Sequence, residues 1–162
     1  MTEVEFLDHR DGVMEAGPAL RRDLAAAIRR HRPELVVTGY FGATWTPPGM
    51  SPAYVNSADH RALGQCVVDA VADAGNEWIF PDLAEPRWSG VQYIAVQDMS
   101  EAPHEVDVSA HVDAAVASLC EHRRYLEILS DVPVEDQARQ VIDMSTSTED
   151  GRRRVGFRLF WG

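Results

Sequence analysis

Residues 54–64 read YVNSADHRALG, and the densest chemistry in the chain lies there. Asp59 and His60 stand side by side where a Pro- and Gly-rich stretch gives way to a helical pattern. A neutral imidazole at a helix start is a good nitrogen ligand for zinc. An adjacent carboxylate can orient a second imidazole or a water. The same pair also reads as the polar start of a helix, since Ser57 and Asp59 are both N-capping types. A zinc site needs at least three protein ligands, and this stretch offers one histidine. Spacing alone leaves both readings open.

Other residues could line a site. Asp11, in the turn HRDG, lies where substrate could touch, although turn chemistry also explains Asp11-Gly12. Trp45 and Tyr54 belong to an irregular stretch, 39–56, that holds three glycines, three prolines and four aromatics, which marks it as a functional loop more than a mere connection. Their rings could pack on the C–H face of a sugar or anchor the loop. Ser57 lacks a Gly-x-Ser-x-Gly setting, which argues against a serine hydrolase.

The elements that must position these residues follow from periodicity. Residues 4–8 (VEFLD) alternate apolar and polar, a short strand pattern, and residues 9–12 read as a turn. Gly17-Pro18 precedes a helix with Leu20, Leu24, Ala27 and Ile28 on one face and Pro33 just beyond its end. Leu35-Val36-Val37-Thr38 is a continuous run, the pattern of a parallel strand buried on both faces. Strand, helix, strand is a βαβ unit, and the loop after its last strand is where open α/β sheets bind ligands. A helix is expected over 61–74, with Leu63, Val67, Val68 and Val71 buried. Strands follow at 91–96 and 106–108, then a long helix over 109–129, a break at 131–133, a helix over 134–144, a polar loop to 151 and a terminal strand. The expected class is α/β with a mostly parallel sheet, in a single domain spanning 1–162.

Composition narrows the function. The chain has 162 residues, is 45% hydrophobic and carries a net charge of −11. That is enough apolar material for a core. Arg29-Arg30-His31-Arg32 and Arg152-Arg153-Arg154 are the longest basic clusters, too little for a phosphate-binding surface, so no nucleic-acid partner is expected. Every basic residue is Arg, and with so much Ala and Val this suggests a high-GC bacterial genome. Cys66 and Cys120 fall in apolar helical runs and read as buried free thiols. No apolar run approaches the ~20 residues of a membrane span. A soluble cytoplasmic protein is the expectation.

Four segments, in order, resemble the LmbE/PIG-L family of zinc-dependent N-deacetylases, particularly its actinobacterial members. EVEFLDHRDG is similar to the family's third strand and its turn. ALRRDLAAAIRRHRPELVVT is similar to the following helix and strand. SADHRALGQCVVDAV is similar to the "HPDHRAAG" signature, and PHEVDVSAHVDAAVASLCEHRRYLEIL to a late strand and its helix. The resemblance covers almost the whole chain. It implies a Rossmann-like three-layer α/β/α fold lacking the family's first two strands. It implies zinc-assisted hydrolysis of an N-acetyl group on a sugar or related amide, the metal activating water and polarising the carbonyl.

Carried over by position, the resemblance makes His60 the metal ligand and Asp59 the supporting acid. It places His104 ahead of the late strand, where it could line the pocket. Ser57 stands where the family has a histidine that stabilises the oxyanion, and a serine cannot be a cationic proton donor. No "AHPDD" motif occurs in the chain, so two further ligands and the general base lack counterparts. Three explanations stay open: an N-terminally truncated domain, a homologue that has lost the chemistry, or a sheet completed by a second copy or another chain. The expected function is an N-deacetylase-type hydrolase impaired in this chain, and the rival is a non-catalytic binding or assembly protein.

Overall fold

The structure is a computed structural model that describes residues 3–46, 51–98 and 102–162. It is an α/β protein with a mixed sheet. Two compact units are distinguished. The first comprises Met1–Trp45, Tyr54–Val96 and Leu159–Gly162; the second comprises Thr46–Ala53 and Gln97–Arg158.

The first unit holds α1 (Pro18–His31), β1 (Leu35–Thr38), β2 (Thr44–Trp45), β3 (Tyr54–Val55), α2 (Ala58–Gly75) and most of β4 (Tyr93–Gln97). Pro18 suits the first helical position, where no N–H is needed. Arg32 ends α1 in the left-handed conformation and returns its N–H to the Ile28 carbonyl at 2.9 Å. β1 and β4 run parallel, with Leu35 beside Tyr93 and Thr38 beside Val96. Ala25 and Ile28 of α1 pack with Ala70, Val71 and Ala74 of α2 on Ile94 and Val96 of β4. One buried cation stitches this layer. Arg29, 3% exposed, donates from Nε to the Ala74 carbonyl at 3.2 Å and from Nη2 to Asp73, Asn76 and Ile79 carbonyls at 2.9–3.1 Å. These carbonyls include those of Asp73 and Ala74 in the last turn of α2, which also accept the Asn76 and Trp88 N–H groups, and a cation there suits the helix dipole.

Several expectations change. Residues 4–8 are not a strand. A strand needs a ladder partner, and this segment is tied down by side chains instead: Glu5 to Arg30 and His31, His9 to Asp23. The parallel crossover is therefore β1–α2–β4, one step later than the sequence pattern suggested. β1 is buried on one face only: Val36 packs toward the core, while Leu35 and Val37 are 50% and 58% exposed. The irregular stretch 39–56 contains a two-stranded antiparallel ribbon, β2–β3; its residues 47–50 lie outside the described residues.

The second unit holds β5 (His104–Asp107), α3 (Val112–Cys120), α4 (Arg123–Leu129), α5 (Val134–Ser145), β6 (Ser147–Glu149) and most of β7 (Arg152–Trp161). β5 and β6 both pair antiparallel with β7. Within this unit β7 is thus flanked by β5 and also carries β6. The expected long helix over 109–129 is a 3-10 turn, α3 and α4, broken at residues 121–122. Gln137 of α5, buried, donates Nε2 to the Leu126 and Val132 carbonyls at 3.1 and 2.7 Å and so closes the end of α4. The expected polar loop after α5 is a hairpin, β6–β7. Cys66 is buried as expected; Cys120 is only partly so.

Candidate functional site

The start of α2 gathers the polar groups. Ser57 is its N-cap and accepts the His60 N–H at 3.4 Å. Asp59 lies in the first turn, where the helix dipole favours an anion. Its carboxylate also receives two backbone donors from the preceding turn, the Gly12 N–H at 2.6 Å and the Met14 N–H at 3.1 Å. Gly12 has φ +83°, a left-handed conformation that glycine adopts without penalty. Asp59 is thereby a clamp between the helix start and the segment carrying Asp11, which is itself exposed.

Asn56 organises the cluster. It is 5% exposed. Its Nδ2 donates to the Tyr40 and Gly42 carbonyls at 3.1 and 3.0 Å, and its Oδ1 accepts the Ser57 N–H at 2.9 Å. This pattern sets which end of the amide is oxygen, because the reverse orientation would press an acceptor against two carbonyls. The same Oδ1 lies 3.2 Å from His60 Nδ1. An amide oxygen only accepts, so this hydrogen bond needs the proton on Nδ1, and in a neutral imidazole that leaves Nε2 as the ring's acceptor. That is the tautomer a metal-ligating imidazole adopts when a neighbouring acceptor holds its other nitrogen. His60 is exposed.

Two further features frame the cluster. A Cβ on Gly64 would sit 2.4 Å from the Cβ of Phe41, so only glycine lets the first turns of α2 approach the loop after β1. Trp45 and Tyr54 face each other in register across the β2–β3 ribbon, with ring centroids 5.2 Å apart and planes at 27°. Tyr54 is 51% exposed, so the pair keeps an aromatic face open to solvent.

His60 is suited to be one ligand, but a metal centre needs more. Among the described residues no group of three or more His, Cys, Asp and Glu side chains could hold a metal ion. Asp59 is engaged by Gly12 and Met14. The described residues therefore do not by themselves fit a catalytic zinc.

Of the candidate residues, Asp11, Trp45, Tyr54, Ser57, Asp59 and His60 all belong to the first unit. His104 belongs to the second, exposed on β5 opposite Phe157. Asn56 was not singled out from sequence, because its role consists of contacts 14 and 16 residues away. The one available signal was its place directly before an N-capping serine.

No protein-family profile and no curated protein sequence matches the chain. Solved structures do share its fold. N,N′-diacetylchitobiose deacetylase from Pyrococcus horikoshii, in complex with an inhibitor, superposes with a TM-score of 0.72 at 19% identity, covering 94% of this chain and 55% of that one. The conserved protein TT1542 from Thermus thermophilus gives 0.63 at 22% identity, covering 92% and 61%. GalB, the 4-carboxy-2-hydroxymuconate hydratase from Pseudomonas putida KT2440, gives 0.58 at 19%, covering 98% and 65%. At these identities the likeness establishes the α/β fold, one that a deacetylase and a hydratase share, so the chemistry must be argued from the site. The chain spans 55–65% of the length of these structures. Among the described residues no helix is long and apolar enough to cross a membrane.

Proposed function

We propose that this chain is a domain of the LmbE/PIG-L type of zinc-dependent N-deacetylases, with an N-acetylated sugar or related amide as its substrate class. The observation that carries the reading is the geometry of His60. It stands at the start of α2, in the segment similar to the family's metal-binding signature, with Nδ1 held by Asn56 and Nε2 as the ring's acceptor. Trp45 and Tyr54 supply a ring platform of the kind that packs on a pyranose face. The Ser57 hydroxyl is a hydrogen-bond donor for an acetyl oxygen, not an acid for the leaving amine.

The described residues bring one metal ligand, so no hydrolytic step is assigned to them. Their work in this reading is to bind and orient. The replacement of a histidine by Ser57, together with the single ligand, also favours a second reading, a deacetylase-like protein that binds acetylated sugar without cleaving it.

Elemental analysis of the purified protein beside His60→Ala separates the readings. Zinc that disappears in the variant, with acetate release from N,N′-diacetylchitobiose, is the result expected where further ligands complete the site. Equal zinc in both forms would remove His60 from any metal site. Neither zinc nor acetate in either form would leave the binding reading.

A further inference from the structure

The segment ahead of α1 and the first turns of α1 and α2 line an open hollow of about 420 Å³ whose lining does not include His60. That volume lies in the range of small-molecule sites. Its floor is apolar: Leu7, Met14, Leu63 and the buried Leu20. Two residues of the lining differ from the rest. Phe6 is 85% exposed, a ring left in solvent beside an apolar hollow. Asp8, two residues on, has φ +57°, in the left-handed region that Asp and Asn tolerate better than other side chains.

Charge distinguishes Asp8 further. Glu5, also in the lining, is ion-paired with Arg30 and hydrogen-bonded to His31. His9 holds Asp23 through Nε2 at 3.1 Å. Among the described residues the Asp8 carboxylate pairs with nothing. One uncompensated acceptor charge therefore stands over an apolar floor, next to an exposed aromatic ring.

We infer that this hollow binds a small organic amine, its ammonium group at Asp8 and its apolar body on Phe6 and the leucine floor. The carboxylate attracts a cation and repels an acid. The net charge of −11 raises the local concentration of cations over anions. The apolar floor offers a hydrated metal ion nothing in exchange for its water, whereas an alkyl or aryl group gains by burial.

The test is calorimetric titration of the whole chain with n-hexylamine, hexan-1-ol and hexanoate at neutral pH. The amine is expected to bind at least tenfold more tightly than the alcohol, and hexanoate not to bind. Asp8→Asn should bring amine affinity down to that of the alcohol with the melting temperature unchanged, since Asn adopts the left-handed conformation as readily. His60→Ala should leave amine binding intact. Independently of any variant, amide NMR shifts on adding hexylamine should centre on Phe6, Asp8 and Leu63. Failure of the amine to bind, equal binding of amine and alcohol, shifts centred elsewhere, or a folded Asp8→Asn protein that binds as before would each overturn the inference.

Discussion

Asp59 and Gly12 lie 47 residues apart in the chain, and the Gly12 N–H points at Asp59 Oδ2 from 2.6 Å. The second carboxylate oxygen takes the Met14 N–H at 3.1 Å. The acid of the SADHR segment is thus spent on holding the 8–14 turn against the start of α2. Asp59→Asn would turn an NH2 toward one of the two N–H groups. A loss of about 1 kcal/mol is expected, at the modest end for hydrogen bonds to a charged group because the Gly12 bond is exposed. Amide exchange at Gly12 and Met14 should accelerate while α2 keeps its protection; unchanged exchange there would deny the clamp.

Asn56→Asp tests the second half of the site. It replaces the Nδ2 donor with an oxygen facing the Tyr40 and Gly42 carbonyls. Leaving such buried groups unsatisfied costs roughly 1–3 kcal/mol each. Stability measured in denaturant should fall by about that much, while the His60 ring keeps its Nδ1–H tautomer in nitrogen NMR spectra, because Asp retains the oxygen that accepts from Nδ1; Asn56→Leu, with no acceptor there, should lose that preference. A tautomer that is unchanged in Asn56→Leu would mean that Asn56 does not orient His60.

Arg29→Lys probes the core of the first unit. A lysine ammonium offers one nitrogen, whereas the guanidinium reaches the Ala74 carbonyl through Nε and the Asp73, Asn76 and Ile79 carbonyls through Nη2. A destabilisation of about 3 kcal/mol is expected, within the range for breaking a buried charged network, and thermal unfolding measures it. A melting temperature like that of the wild type would show that Arg29 is not the stitch described.

The Glu5 anchor predicts a pH dependence. Hydrogen bonding from His31, with help from Arg30, holds the Glu5 carboxyl below the usual glutamate value. A depressed acid contributes its stabilisation fully above the ordinary glutamate pKa and loses it as pH falls through the lower folded value. The segment around residues 3–9 should therefore loosen on acidification below about pH 4.5, seen as faster amide exchange there. Glu5→Gln should already be loose at neutral pH and show no such transition. Acid loosening that persists in Glu5→Gln would assign it to another group.

The parts of this fold that local physics decides were visible in the residues. Gly17-Pro18 marks the start of α1, and Ser57 marks the start of α2, where it is the N-cap. The apolar run at 35–38 is β1, though its exposure is one-sided, because burial depends on what lies over the strand and not on its own composition. Residues 4–8 have the strand alternation but no ladder partner, and a period of two cannot supply one. The break between α3 and α4 interrupts an apolar pattern that continues through it in sequence: Val116 and Leu126 are both buried. At the site, Ser57, Asp59 and His60 were legible as a group. Their partners were not, since Gly12, Met14 and Asn56 act through backbone amides and an amide side chain, which leave no charge or metal-ligand pattern to read.

The most direct test of the account is calorimetric titration with N,N′-diacetylchitobiose, comparing the wild type with Tyr54→Ala and His60→Ala. The account predicts measurable binding that weakens roughly tenfold in Tyr54→Ala, a loss equal to about 1.4 kcal/mol, and also falls in His60→Ala, while Asp8→Asn binds as the wild type does. Absence of binding, or binding indifferent to both Tyr54 and His60, would contradict the assignment of this site to an N-acetylated sugar.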